Sequence, residues 1–582
     1  MAKGFNTLRV KSGVKSRSDL DLSFTHLTTM DFGQIQPLMA RETIPGDDFT
    51  VRPSFFSRMA PLARPTYGKF SFKTVYGFVP YHMIADDAEA WLAGKTTWEG
   101  TSTHQRYLTM RTLVDFVLAN STDSTGPADT DFSYIDSEGV KDSVTFTPLC
   151  RYYVKVLNSL GYALPENFSY AVSADLNKRL SAYPLLAFFK LYNDYMSQSQ
   201  RFNTSQLSNF LRDVKHGVTE VGFFNGSTGE IQSRGLELLF TDLLLNYEND
   251  YFTSAWRFPN QPIDDSSNIT GVVVPSSDES SFVSALRSDN KLEQYVSSED
   301  NLIDLGQRAL DFLKSFDDWV RRNNYSGSRA VQQVYSRFGI KTSDYRSNYA
   351  EVIDTKSSPV QVGDVTATAD TDGAALGEYA GKGIMTFDTS FRYQANDYGM
   401  LFVLGYFTVT PMNAFGFDRS VLRTEPLDYY NPEFDGIGAE AITAGEYFTD
   451  PASLEDGADA SKDSDVFGFT ERYNNYRFSR DMITGDFRLP SMSDMDVWHT
   501  GRFLTSVRRA GELVAQSPAI NTMPQIDSEY NRIFGVESSQ VDHFYLTALF
   551  DVKAVRPMLD LNQVVRLGEG DTTVARNGNV IA

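Results

Sequence analysis

From residue 69 to 81 apolar and polar side chains alternate: Phe70, Phe72, Tyr76 and Phe78 share one parity, while Ser71 and Lys73 occupy the other. A period of two marks a strand with one buried face. The same alternation returns far downstream between His543 and Lys553, with Phe544, Leu546, Ala548, Phe550 and Val552 on one side. Met400 to Thr410 is a third strand-sized segment and carries the longest apolar run, around Leu401 to Val409. Nearer the start, Glu42-Thr43-Ile44 and Asp48-Phe49-Thr50-Val51 read as extended on either side of Pro45-Gly46-Asp47. Pro presets a negative φ and Gly accepts the positive φ that follows, so a type II turn is expected there. The sheet these runs build must be assembled from distant parts of the chain.

Helical periodicity lies between the strands, at Tyr152 to Leu160, Leu185 to Met196, Leu236 to Tyr247, Leu302 to Arg321 and Ala330 to Phe338. A β core with long, partly helical insertions explains this better than alternating βαβ units. Asn120 to Asp142, Gly363 to Gly383 and Thr449 to Asp465 read as exposed loops. The most distinctive stretch, Gln261 to Asn301, holds ten Ser and eight acidic residues against only Arg287 and Lys291. An insertion of that size is either functional or disordered.

Composition changes this picture in two respects. Aromatic residues make up 13% of the 582, with 42 Phe and 30 Tyr, which suits strands and wide contact surfaces. The formal charge of −22 opposes any general attraction to nucleic acid or anionic lipid, so a contact with DNA must be local. The place for it is the beginning of the chain, where Lys3, Arg9, Lys11, Lys15 and Arg17 precede the first acidic residue, Asp19. Residues 1–18 therefore read as a flexible basic arm, either a phosphate-neutralising contact or a solvated terminus.

The single Cys150 excludes an intramolecular disulfide and fits folding in a reducing cytoplasm. The opening residues lack the apolar core of a secretion signal, and no stretch approaches a membrane-spanning length.

Motifs that carry chemistry are scarce. Gly377-Glu378-Tyr379-Ala380-Gly381-Lys382-Gly383 has the wrong spacing for a P-loop and ends in Gly where a hydroxyl belongs. Gly226-Ser227-Thr228-Gly229 is one residue too short for a nucleophile elbow and reads as a turn. The histidines, His26, His82, His104, His216, His499 and His543, show no zinc-ligand spacing. Asp370 with Asp372, and the run from Glu455 to Asp465, lack an EF-hand register. No catalytic residue, metal or cofactor is expected, which favours a structural role.

Several short motifs then point one way. Arg41-Glu42-Thr43-Ile44-Pro45-Gly46-Asp47-Asp48-Phe49, Arg58-Met59-Ala60-Pro61-Leu62-Ala63-Arg64-Pro65 and Phe78-Val79-Pro80 resemble the amino-terminal signature of Microviridae major capsid proteins. Asn249-Asp250-Tyr251-Phe252-Thr253-Ser254, Gly327-Ser328-Arg329 and Arg337-Phe338-Gly339 resemble later blocks of that family. Asp428-Tyr429-Tyr430-Asn431-Pro432-Glu433-Phe434 with Ile437-Gly438, Phe467-Gly468-Phe469-Thr470-Glu471-Arg472-Tyr473 with Tyr476-Arg477, and Trp498-His499 continue in order. The collinear series runs from about residue 30 to about 505, and its layout is similar to the gokushovirus-like members. Tyr81-His82 and Ala439-Glu440-Ala441 depart from the common pattern.

The resemblance implies a mainly β fold with helical insertions: an eight-stranded viral jelly roll, an antiparallel β-barrel core elaborated by long loops, over residues 19–582. It implies a T=1 icosahedral shell of about 60 copies around a circular single-stranded DNA phage genome. The partners it implies are further copies of the chain, the packaged DNA, a small basic packaging protein, internal scaffold and pilot proteins, and a host-cell receptor. The place implied is the virion, assembled in the bacterial cytoplasm, with residues 261–301 as a surface protrusion at the threefold axis. The rival from another class is a jelly-roll protein that binds or degrades carbohydrate, against which five Trp in the whole chain count. A tail spike or fibre would show repeats or heptads, and none is seen.

Overall fold

The computed structural model describes residues 17–98, 101–123, 130–135, 141–164, 167–169, 177–196, 206–241, 243, 245, 250–252, 254–255, 315, 318, 335–336, 338–339, 349–363, 382–412, 416–424, 426–435, 439–447, 466–488, 495–501, 528–535, 541–558, 573–574 and 580–581. Among them, eight strands have seven residues or more. In chain order these are β1 Phe24–Met30, β2 Gln36–Thr43, β3 Asp48–Met59, β4 Lys69–Pro80, β5 Glu351–Pro359, β6 Lys382–Asp388, β7 Gly399–Thr410 and β8 Phe544–Arg556.

They form two antiparallel sheets. One runs β1-β8-β3-β6 and the other β2-β7-β4-β5. Short strands extend the first sheet: Ser18–Asp21 pairs with the end of β8, Gln361–Gly363 with β6 and Phe391–Gln394 with β3. The last long strand therefore lies between the first and the third, which closes the sheet with residues more than 500 positions apart.

Alternation along β8 is complete: Phe544, Leu546, Ala548, Phe550, Val552 and Ala554 are buried, while Tyr545, Leu549 and Lys553 face solvent. The buried side meets the other sheet. Phe544 stacks on Phe407 of β7 with ring centroids 4.0 Å apart, and Phe55 of β3 lies 5.2 Å from Phe72 of β4. The expected turn is present, with Gly46 at φ +94 and the Asp47 N–H donating to the Ile44 carbonyl at 3.0 Å. It does not join neighbours in one sheet. The chain crosses there from β2 in one sheet to β3 in the other.

On β4 the simple alternation fails, because residues from Thr74 onward are buried on both faces. The second face is covered by a helical insertion between β4 and β5. Its helices are α1 Met110–Ala119, α2 Pro148–Ser159, α3 Tyr183–Tyr195, α4 Gln206–His216 and α5 Ser233–Phe240. Thr109 and Thr147 cap α1 and α2 through their hydroxyls, accepting from the Thr112 and Cys150 N–H groups. Helix α3 lies so close to β4 that a Cβ on Gly77 would sit 2.6 Å from Leu191, so the approach requires glycine. Tyr152 docks α2 by donating to the Ile35 carbonyl at 3.0 Å and accepting its N–H at 2.8 Å.

Some expectations need correction. Asn120 to Asp142 contains strand segments, not only loop: Ser121–Asp123, Phe132–Ile135 and Lys141–Phe146 pair with one another. Val144, Phe132 and Val114 give this small sheet its own apolar cluster. The helix expected to Tyr247 ends at Phe240. Gly363 ends one strand and Gly383 lies within another, so neither is a loop residue. The spans 302–321 and 330–338 lie almost wholly outside the described residues, as do 261–301, 370–372 and 449–465.

Candidate functional site

Among the described residues, the histidines make structural contacts. The His26 ring stands 2.8 Å from the Leu38 carbonyl, and His543 is buried, 3.2 Å from Asp31 and stacked on Phe534 at 4.3 Å. His499 accepts from the Gly501 N–H at 3.1 Å. Each of these rings holds backbone or core in place. Among the described residues one grouping comes within ligand distance: His82, Glu89 and Asp397 place donor atoms within 4.8 Å of one another, with His82 already 3.2 Å from Asp397. Cys150 is fully buried, and burial pushes its thiol up to about 11, which removes its use as a nucleophile at neutral pH.

Of the basic arm, Lys3, Arg9, Lys11 and Lys15 lie outside the described residues. Arg17 is exposed beside the turn that joins the sheets: its Nη2 lies 3.5 Å from where a Cβ on Gly46 would stand. Its charge acts on the Asp47 and Asp48 carboxyls. Ser18 is buried and already paired with Arg556 in the sheet.

The structure brings three distant sequence motifs together in a second unit beside the sandwich. Strands Ala439–Thr443 and Val466–Glu471 pair, and Tyr251, Phe252, Ala255, Ile442 and Phe467 form a small core of their own. Tyr251 stacks on Phe478 at 5.1 Å, while Phe252 meets Phe467 edge-on at 5.7 Å. The unit is fastened by a largely buried ionic cluster. Arg419 donates to Glu446 at 2.6 Å and also pairs with Glu440. Glu446, 3% exposed, further accepts from Tyr251 at 3.1 Å and from the Thr443 N–H at 3.1 Å. Burial alone would lower the Arg419 guanidinium's pKa, but Glu446 and Glu440 hold it above the ordinary value. Gly416 passes so near the Glu446 backbone that a Cβ would fall 2.2 Å from its carbonyl oxygen.

Glu440 also accepts from the Tyr473 N–H at 3.0 Å. Tyr473 is the one non-glycine residue with positive φ among the described residues, at +64. A bulky residue in that region is strained, and here the strain is held by burial and by Glu440. The reversal it makes aims Tyr476 and Arg477 outward beside Tyr430. The Tyr430 ring lies 5.1 Å from Tyr473 and 5.8 Å from Tyr476, whose hydroxyl accepts the Tyr430 N–H at 3.2 Å. Arg423 lies over Tyr476 at 4.2 Å, Arg472 over Phe434 at 4.9 Å, and Arg477 pairs with Asp435 at 3.1 Å. Sequence reasoning named these tyrosines only as parts of a resemblance, and it missed Arg419 and Glu446 altogether. No local signal marks that pair, because its members meet only in three dimensions.

A family model described as "Capsid protein (F protein)" matches residues 9–109 and 162–564. The stretch between the two matched parts carries α1, the small sheet and α2. The chain is 23% identical over 598 aligned positions to the capsid protein VP1 of Chlamydia phage 1, spanning 93% of this chain and 94% of that one. It is 25% identical over 244 positions to the capsid protein VP1 of Bdellovibrio phage phiMH2K, spanning 40% of this chain and 41% of that one. Both sandwich and satellite fall within the matched residues, so the chain belongs to the capsid protein (F protein) family of Microviridae phages and is a structural protein, not an enzyme.

Proposed function

We propose that this capsid protein closes into a T=1 icosahedral shell of about 60 copies around circular single-stranded DNA. The observation that carries the reading is the strand order. Numbered along the chain, one sheet runs first, eighth, third, sixth and the other second, seventh, fourth, fifth. The chain changes sheet at every step except from β4 to β5, and such an order supports the eight-stranded jelly-roll reading. The long insertions after β4 and β7 give each copy the several surfaces that a closed shell needs. Residues 1–18 act as the basic arm, and residues 261–301 stand at the threefold axis as the outer protrusion. The scaffold, the pilot and the small basic packaging protein act with it in the bacterial cytoplasm, and a host receptor meets the finished virion. Electron microscopy of the purified, expressed protein tests this. Closed particles with density for residues 261–301 outside the shell are expected; unassembled subunits would sink the shell, and density inside would sink the protrusion.

The arm has its own test. Replacing Lys3, Arg9, Lys11 and Lys15 with Gln should leave particles intact but loosen their DNA. Each lost phosphate contact should make the log-log salt dependence of retention shallower by about 0.7. Arg17→Gln serves as the comparison, because Arg17 already stands by Asp47 and Asp48 and should contribute less. Unchanged salt sensitivity in the fourfold variant would remove the arm from genome binding.

A further inference from the structure

Among the described residues the satellite unit's apolar cluster is Tyr251, Phe252, Ala255, Ile442 and Phe467, with Phe478 packed against it, under a two-stranded sheet. The unit also displays a continuous aromatic surface: Tyr429 is 53% exposed, Tyr430 47%, Tyr476 48% and Phe434 37%. These rings are not loose. Arg423 lies over both Tyr429 and Tyr476, Arg472 over Phe434 and Tyr473, and the Tyr430 backbone is tied to the Tyr476 hydroxyl. Rings fixed in this way bury area with little further loss of side-chain freedom, which is what an interface anchor requires.

The charge of this surface decides what fits it. Arg477 stands between Asp435 at 3.1 Å and Glu471 at 3.5 Å, and exposed Glu433 lies next to Phe434. A phosphate chain would meet those carboxylates along with the arginines, so a nucleic acid is disfavoured. A protein surface bearing both signs is favoured, and aromatic residues with Arg are the side chains enriched at protein contacts.

We infer that the face formed by Tyr429, Tyr430, Phe434 and Tyr476 docks on a second copy of this chain at a subunit contact. The inference rests on the self-assembly proposed above. A surface with arginines and carboxylates side by side is complementary to others of its kind, as repeated copies in a closed assembly require. The Tyr473 reversal lies beneath this face, its ring against those of Tyr430 and Tyr476.

Two variants test it against the wild type, by sedimentation velocity and electron microscopy, with circular dichroism to monitor the fold. Tyr430→Ala with Tyr476→Ala removes the anchors. Tyr429→Glu gives up the Arg423 contact over its ring, leaves the Tyr430 and Tyr476 anchors in place, and puts a charge where burial is required. Both should lower the assembled fraction at least tenfold while the subunits keep the wild-type circular dichroism. Tyr430→Phe with Tyr476→Phe should assemble nearly as the wild type does. Should Tyr429→Glu assemble at wild-type yield, the inference is overturned while the shell reading stands. Variant particles that form normally but lose DNA would also overturn it, by placing the face against the genome. A wild-type protein that stays as single subunits would remove the shell reading itself and this contact with it.

Discussion

Phe544→Ala should destabilise the isolated subunit by about 3 to 5 kcal/mol, a large share of the about 5 to 15 kcal/mol by which a folded domain persists. Phe544 is 0% exposed at the start of β8, and its ring touches both sheets and the chain that closes them. It stacks on Phe407 at 4.0 Å, meets Phe32 edge-on at 4.9 Å and lies 5.8 Å from Phe534. Truncation removes three aromatic partners at once and leaves a void that fixed strands on two sides cannot collapse to fill. Leu549→Ala on the same strand is the comparison. That side chain is 52% exposed on the outer face, and its loss should stay within about 0.5 kcal/mol. Urea denaturation of both variants reads the difference, and coincident midpoints would show that the sandwich is not held at this point.

The same strand shows what was legible beforehand. Alternation from Phe544 to Val552 is read without error because one face meets apolar rings and the other meets water. In β7, an unbroken apolar run was recognisable as a strand by its length, and it is buried along most of its course between β2 and β4. On β4 the pattern told half the truth. Phe70, Phe72, Tyr76 and Phe78 are all buried, but so are Val75, Gly77 and Val79, since α3 arrives from more than a hundred residues away. No window of sequence contains that helix and that strand together. Helix α4 was missed although its signal is present: Leu207, Phe210 and Val214 are the buried stripe at helical spacing. From Asn120 to Phe146 the polar composition concealed short strands whose few inward residues, Phe132 and Val144, are too sparse to set a period.

The candidate site was legible by its words and not by its geometry. Tyr429, Tyr430, Tyr473 and Tyr476 stood in motifs that resembled a family, but their meeting depends on the Tyr473 reversal and on Glu440. A positive φ at a tyrosine contradicts its local preference, so local reasoning has no means to propose it. Arg419 and Glu446 are 27 residues apart and gain their importance only when Tyr251, nearly 200 positions earlier, completes the cluster.

Alkaline conditions should unfold the subunit abruptly. Tyr76, Tyr81, Tyr152, Tyr162, Tyr183 and Tyr251 are all buried, and burial raises every one of their phenols above the ordinary value near 10. Tyr183 is pushed up to about 12, and for Tyr251 and Tyr81 the neighbouring Glu446 and Glu42 carboxylates add to the burial. A group whose pKa is raised by folding contributes its full stabilisation below the unfolded value and loses it as the pH climbs toward the folded one. Above pH 10 the unfolded chain therefore releases protons that the folded chain retains. Each such tyrosine then costs up to about 1.4 kcal/mol per pH unit, so six together cost up to about 8. That is comparable with a domain's whole stability of about 5 to 15 kcal/mol, so unfolding should intervene between about pH 11 and 12, before the buried phenols titrate in place. Tyrosinate absorbance should show exposed rings titrating first near 10, then a steep rise that coincides with loss of circular dichroism. A single smooth titration of all 30 tyrosines with the dichroism unchanged would mean that these side chains are not shielded as the fold requires.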